Sequence, residues 1–179
     1  MSDVVRHLVD RGGEPFPDQG PFPAADRLDQ ERSSEETFCP LDADSTQLAA
    51  VFAAQDNKTF VLEGPPGTGK SQTITNLISH CPAMGKTVLF VSEKRAALEV
   101  VHRRLEAVGL GEFSLELHSN KARNKEVLER LGRSWDAAQA AAPRSWGQNA
   151  RDLEQLRHLL NGYVESVHRR GAHRLQSSR

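Results

Sequence analysis

The chain has 179 residues, 37% hydrophobic and 6% aromatic, with a formal net charge of −1, which fits one domain of ordinary size with a modest core. No stretch approaches the roughly 18–20 consecutive apolar residues of a membrane span, and the N-terminus carries no basic segment followed by an apolar run. Cys39 and Cys81 stand without a Cys-x-x-Cys or a matching His pair, so the sequence predicts reduced thiols in a cytoplasmic protein with no membrane partner.

The charges are unevenly placed. Residues 1–58 hold 12 acidic and 5 basic side chains, whereas residues 94–133 hold 9 basic and 6 acidic ones. The second stretch reads either as cations for a nucleic-acid backbone or as a solvated helix face laced with i,i+4 pairs; charge alone favours the second.

In chain order, residues 1–40 read as an extended or disordered lead-in. Val4, Val5, Leu8 and Val9 form a short amphipathic stretch, and the five prolines between 15 and 40 remove backbone donors and block helix. A nucleotide-binding core is expected over 41–121. A helix capped by Asp44 or Ser45 runs through Gln47, Leu48, Val51 and Phe52. Phe60-Val61-Leu62 within 59–63 reads as a strand. Ser71 to His80 carries Ile74, Leu77 and Ile78 at helical spacing and stops near Pro82. Thr87-Val88-Leu89-Phe90-Val91 has the continuous β-branched look of a strand buried on both faces of a parallel sheet. Ser92 caps a helix with Leu98, Val101, Leu105 and Val108 on one face, and Gly109 ends it. Phe113, Leu115 and Leu117 alternate with polar residues as a third strand. This order predicts an α/β fold built on a parallel sheet with crossover helices. Over 122–170, Val127, Leu128, Leu131, Trp135 and Ala138 make one amphipathic helix. After a break at Pro143–Gly147, Leu153, Leu156, Leu160, Tyr163 and Val167 make another. The two predict an appended helical hairpin, followed by a patternless tail over 171–179.

Between the first strand and its helix lies Gly64-Pro65-Pro66-Gly67-Thr68-Gly69-Lys70-Ser71, a match to G-x-x-x-x-G-K-[ST]. Strand, glycine-rich turn and helix in that order are the setting this phosphate-binding loop requires. The glycines let backbone N–H groups turn toward phosphates at the positive end of a helix. Lys70 then reaches the β- and γ-phosphates and the Ser71 hydroxyl ligates Mg²⁺. A glycine-rich turn that fits by chance is the alternative, and the flanking elements argue against it. Gln47, 17 residues before Gly64, offers an amide donor and acceptor suited to an adenine edge, although a surface glutamine is the default reading.

The segment from Leu41 to Val51, then GPPGTGKSQTITNLI, then TVLFVSEKRAALEVVHRRL together resemble the start of a superfamily 1 helicase. The similarity is to the branch of the RNA-surveillance helicases and, closer still, to large bacterial helicase-like ATPases. It covers roughly residues 38–135. It implies a partial RecA-like P-loop sheet, with ATP and Mg²⁺ as cofactors. Gln47 would contact adenine, and Gly64, Pro65, Pro66, Gly67, Thr68, Gly69, Lys70, Ser71 and Gln72 would form the cofactor site. Lys70 and Ser71 would be its catalytic members, with Ser71 on Mg²⁺. Ser92, Lys94 and Arg95 would touch single-stranded DNA or RNA, and His118 to Lys121 less firmly so. A helical insertion after the third strand would form an arm over the nucleic-acid channel.

Two parts of such a motor are not found in the sequence. No apolar run ending in Asp-Glu follows Lys70, and Glu63 is badly placed to organise Mg²⁺ and water. A second RecA-like domain with arginine fingers is also missing. These departures argue against hydrolysis by this chain alone and predict part of a larger ATPase, its site completed by a partner domain or chain. A remodelling ATPase of the AAA+ type and a non-catalytic, nucleotide-dependent interaction module are the alternatives. A GTPase is disfavoured because Asn57-Lys58 and Asn120-Lys121 lack the aspartate of N-K-x-D. A small-molecule kinase would leave Gln47 and the Ser92-Glu93-Lys94 segment without a role.

Overall fold

The computed structural model describes residues 3–14, 17, 20–115, 124–138 and 145–168. Seven α-helices are present among them: α1 (Asp3–Asp10), the single turn α2 (Leu28–Glu31), α3 (Ser45–Gln55), α4 (Lys70–Ala83), α5 (Arg95–Ala107), α6 (Asn124–Ala138) and α7 (Trp146–His168). Two 3-10 turns, Ser34–Glu36 and Gly111–Phe113, separate them.

Helix α3 starts at a reciprocal cap. The Asp44 carboxylate accepts from the N–H groups of Thr46 and Gln47, while the Gln47 side chain accepts from Asp44 N–H. Each bond satisfies a donor that the first helical turn leaves without a partner. Its buried face is small, Ala49, Ala50, Val51, Phe52 and Ala53, so a neighbouring helix can approach closely. That neighbour is α4. Gln47 meets the loop before α4 at one end, and Gln55 meets His80 near the other. The eight-residue offset between the two glutamines spans about 12 Å of helix. The two helices therefore run side by side in the same direction, and residues 56–69 carry the chain back.

The buried face of α4 is polar. Thr73, Thr75, Asn76, His80 and Cys81 are buried, whereas Ile74, Leu77 and Ile78, the expected core triplet, are only half-buried. The polar face is satisfied by an extended strap over residues 37–44. Asn76 donates to the Leu41 carbonyl at 2.9 Å and accepts from Leu41 N–H at 3.0 Å. His80 Nδ1 accepts from Phe38 N–H at 3.3 Å, which leaves Nε2–H to donate to Gln55 Oε1 at 2.9 Å. The edge of Phe52 meets the His80 ring, and Phe38 stacks on Trp146 of α7 with ring centroids 5.2 Å apart. Further along α7, Arg157 bonds Asp29 and the Ser34 hydroxyl, and Ser34 donates to Glu154. The proline-bearing lead-in thus ties α7 to the α3–α4 pair. Helix α6 lies against the Gly111–Phe113 turn, and α5 packs on both that turn and α4.

The parallel sheet expected from the sequence is not formed: no β-strand occurs among the described residues. Segments 59–63 and 87–91 are outside any helix, and no ladder pairs them with one another or with other described residues. Val61 is 84% exposed, Leu89 84% and Val91 76%, so neither segment is buried on two faces. In 87–91 the alternation survives, with Val88 and Phe90 turned partly inward and their neighbours outward. An apolar β-branched run supplies the capacity for a strand, but a strand exists only when a partner takes its backbone donors and acceptors. Of the third expected strand, Phe113 lies in a 3-10 turn, and Glu116 and Leu117 fall outside the described residues, as does His118 to Lys121. The apolar stripe of α7, Leu153, Leu156, Leu160, Tyr163 and Val167, faces solvent.

Burial, and then the nearby Arg32 guanidinium, hold His80 below the usual histidine pKa of 6.5. The unfolded chain therefore takes up a proton near pH 6.5 that the folded chain refuses. This contribution to stability is complete above that pH and is lost as pH falls below it. Urea unfolding at pH 7.5 and 5.5 should show the parent losing more stability than His80→Gln over that interval. Equal losses would mean that His80 is not held neutral.

Candidate functional site

The glycine-rich loop leads directly into α4, whose N-cap is Gly69. Gly67 and Gly69 have φ of +89° and +77°, the left-handed region that costs other residues about 1–2 kcal/mol. Space constrains Gly69 as well, since a Cβ there would lie 2.6 Å from Gln47 Nε2 and 2.9 Å from Gln72 Oε1. At Gly64 a Cβ would meet the Thr68 hydroxyl oxygen at 2.6 Å. Backbone conformation thus favours glycine at Gly67 and Gly69, and a side chain at Gly64 or Gly69 would displace the Thr68 hydroxyl or the Gln47 and Gln72 amides.

The loop closes on its own carbonyls. Thr68 Oγ1 donates to Pro65 O at 2.8 Å, and the Lys70 ammonium donates to Gly64 O and, at 3.0 Å, to Pro65 O. Lys70 therefore spans the loop and meets carbonyls, not a carboxylate. The N–H groups of Gly67, Gly69, Lys70 and Ser71 have no acceptor among the described residues. Pro65, Pro66, Gly67, Thr68 and Lys70 are exposed and Ser71 and Gln72 half-buried, so this row of donors opens to solvent at the head of a 14-residue helix. Unclaimed N–H groups at a helix N-terminus suit an anion.

Gln47 joins the helix frame to this loop. Its Oε1 accepts from Asp44 N–H at 3.1 Å, and its Nε2 donates to Thr68 O at 3.0 Å. One lone pair on Oε1 and one hydrogen on Nε2 remain. The sequence placed Gln47 beside the loop on family resemblance; the structure puts it there by contact. Asp44-Ser45-Thr46-Gln47 carries the D-x-x-Q signature of a capping box, a local signal from which the link to Asp44 could be read but which the sequence reasoning did not use.

Ser92, Lys94 and Arg95 stand at the start of α5, whose N-cap is Lys94 and not Ser92 as the sequence suggested. Ser92 Oγ is 3.3 Å from both Lys94 N and Lys94 O, and Arg95 pairs with Glu99 at 2.8 Å. Lys94 and Arg95 are exposed. Sequence reasoning did not find a cleft of about 410 Å³ between α5, the Gly111–Phe113 turn and α6, lined by His102, Glu106, Glu112, Ser114 and Arg133. Its polar groups satisfy one another: His102 bonds Ser114 at 3.1 Å and pairs with Glu106 at 3.4 Å, and Arg133 pairs with Glu112 at 3.3 Å. Among the described residues no group of three or more His, Cys, Asp or Glu side chains is disposed to hold a metal, and no helix is long and apolar enough to cross a membrane.

Residues 42–170 match a family model described as AAA domain. The chain is 52% identical over 62 residues to the "Uncharacterized ATP-dependent helicase MG140 homolog" of Mycoplasma pneumoniae, a stretch covering 35% of this chain and 6% of that protein. It is 58% identical over 46 residues to the "Uncharacterized ATP-dependent helicase MG140" of Mycoplasma genitalium, covering 26% of this chain and 4% of that one. The aligned part is thus a small fraction of either relative. No solved structure matches the chain.

The contact between Gln47 and Gly69 makes a steric prediction. Gly69→Ala should cost about 1–2 kcal/mol from its left-handed backbone, plus a further cost from displacing the Gln47 amide. In a Gln47→Ala background only the first part should remain. A double-mutant cycle by urea unfolding measures the difference, and equal costs in the two backgrounds would show that the residues do not touch.

Proposed function

The chain belongs to the AAA domain family, and from that premise we propose that it binds ATP with Mg²⁺ at Gly64–Ser71 as the nucleotide-binding portion of a helicase-like ATPase. The resemblance to helicase-like P-loop ATPases read in the sequence is borne out by the family match and by relatives named ATP-dependent helicases. The observation that carries the proposal is the set of N–H groups of Gly67, Gly69, Lys70 and Ser71 without an acceptor among the described residues at the head of α4, beside the Lys70 ammonium.

In this reading the N–H groups of Gly67, Gly69, Lys70 and Ser71 receive the phosphates. Lys70 exchanges its two carbonyl partners for phosphate oxygens, a stronger charge-assisted pairing. Thr68 and Gln72 flank the phosphates, and Pro65 and Pro66 stiffen the turn. The Ser71 hydroxyl is the protein's ligand for Mg²⁺, an ion that neutralises charge on the β- and γ-phosphates when bound. Gln47 uses its remaining lone pair and hydrogen on the adenine edge. Ser92, Lys94 and Arg95 meet the backbone of single-stranded DNA or RNA, and a partner domain or chain supplies the acidic group and arginines for hydrolysis.

Titration of the purified chain with ATP in Mg²⁺, with phosphate release followed in parallel, tests this. Lys70→Ala should weaken binding about tenfold or more, the scale of one charge-assisted hydrogen bond, and the parent should release little phosphate. Equal affinity in parent and variant would remove the loop from the binding site. Steady Lys70-dependent turnover would instead show that this chain carries its own hydrolytic groups.

The nucleic-acid face has a separate test. Lys94→Ala and Arg95→Ala should weaken binding to single-stranded oligonucleotides of any sequence, and each should reduce the slope of log K against log salt by roughly 0.7 to 1. An unchanged slope in both would exclude these cations from the contact.

A further inference from the structure

We infer that Asp44, which lies outside the phosphate loop, is a positioning residue for base selectivity, because it fixes the orientation of the Gln47 amide against the loop. The inference rests on the ATP-binding reading above and adds a residue to it. An amide side chain has two orientations that differ only by exchanging oxygen and nitrogen. Here the choice is settled from both sides. Asp44 N–H can only donate, so at 3.1 Å it requires Oε1; the Thr68 carbonyl can only accept, so at 3.0 Å it requires Nε2.

What holds Asp44 N–H in place is its own side chain. The Asp44 carboxylate takes Thr46 N–H and Gln47 N–H at 2.9 Å each and the Thr46 hydroxyl at 2.6 Å. Three hydrogen bonds to the carboxylate thus lock the turn in which Asp44 N–H faces Gln47. The Thr46 hydroxyl first, and then Gln47 N–H, keep the carboxylate below its ordinary pKa, so the lock is ionised throughout the neutral range. The bulk of the amide matters as well, since it occupies the space a side chain at Gly69 would need.

The consequence is chemical. On its Watson–Crick edge adenine presents a donor (N6–H) and an acceptor (N1) side by side, and guanine presents the reverse pair there (O6 and N1–H). A Gln47 amide held in one orientation prefers the first. An amide free to turn over accepts both, at no cost to phosphate binding.

The test compares ATP and GTP binding in the full chain, using Asp44→Gly, Asp44→Asn and Lys70→Ala. Glycine caps a helix almost as well as aspartate but has no carboxylate, and asparagine restores the side-chain acceptor. In Asp44→Gly the preference for ATP should fall about three- to tenfold, with GTP affinity undiminished or raised, and Asp44→Asn should recover it. Parallel weakening of ATP and GTP, or an undiminished preference in Asp44→Gly, would reduce Asp44 to a helix cap and overturn the inference. A parent that binds both nucleotides equally through Lys70 would overturn it too, while leaving the loop as the phosphate site. Binding indifferent to Lys70→Ala would instead sink the ATP-binding reading, and this inference with it.

Discussion

The pairing of α3 with α4 depends on one buried histidine. His80 is inaccessible to solvent and has each ring nitrogen committed, one to the Phe38 backbone and one to Gln55. A buried polar group costs stability unless it is satisfied, so these partners are requirements of the packing. Through Gln55 the ring fixes α3, through Phe38 it fixes the strap, and through the stacked Trp146 it reaches α7. Asn76, one turn earlier, repeats the device on Leu41. Two polar side chains on one helix face thereby do the work that an apolar seam does in most helix pairs. They also specify register, since a backbone N–H and C=O must arrive at fixed places.

That frame is what positions the candidate loop. Because α3 and α4 run side by side, holding their far ends at His80 brings Gln47 at the near end of α3 beside Gly69 at the near end of α4. The loop's geometry is then constrained from the helical side, by one amide contact to Thr68 and by the close approach of that amide to Gly69 in its left-handed conformation. Nothing comparable holds it from the side of residues 59–63, where no ladder forms among the described residues. Conformational freedom is removed where the chain must present several N–H groups at once, and little is spent elsewhere.

The local features of the sequence were legible, and the non-local ones were not. The loop with its spacing, the cap at Asp44, and the helices behind Gly69 and Lys94 follow from rules acting within a few residues, and the structure has them. The sheet did not follow, because a strand's stability resides in its neighbours. Val61, Leu89 and Val91 satisfy every local criterion for a buried strand yet remain exposed. The core face of α4 misled for a related reason. Ile74, Leu77 and Ile78 mark an apolar face, but the strap brought backbone groups that only Asn76 and His80 can satisfy, and the polar face was buried instead. No periodicity announces that choice. Of the site, the loop was read from its motif and Gln47 from family resemblance, while the contact linking Gln47 to Thr68 required the packing of two helices.

The same reasoning bears on how the site would respond to a ligand. Lys70 sits on two loop carbonyls, an arrangement that satisfies the ammonium and braces the turn in the absence of phosphate. An incoming phosphate competes for that charge, and the loop gives up an internal tie as it gains an external one. Gln47 need give up nothing, because its contacts to Asp44 and Thr68 use one site on each end of the amide and leave the other free. If the loop takes a nucleotide as proposed, phosphate binding would require a rearrangement of Lys70, whereas base reading by Gln47 would require none. On that reading selectivity would be set by the resting fold and affinity by what Lys70 is offered in exchange.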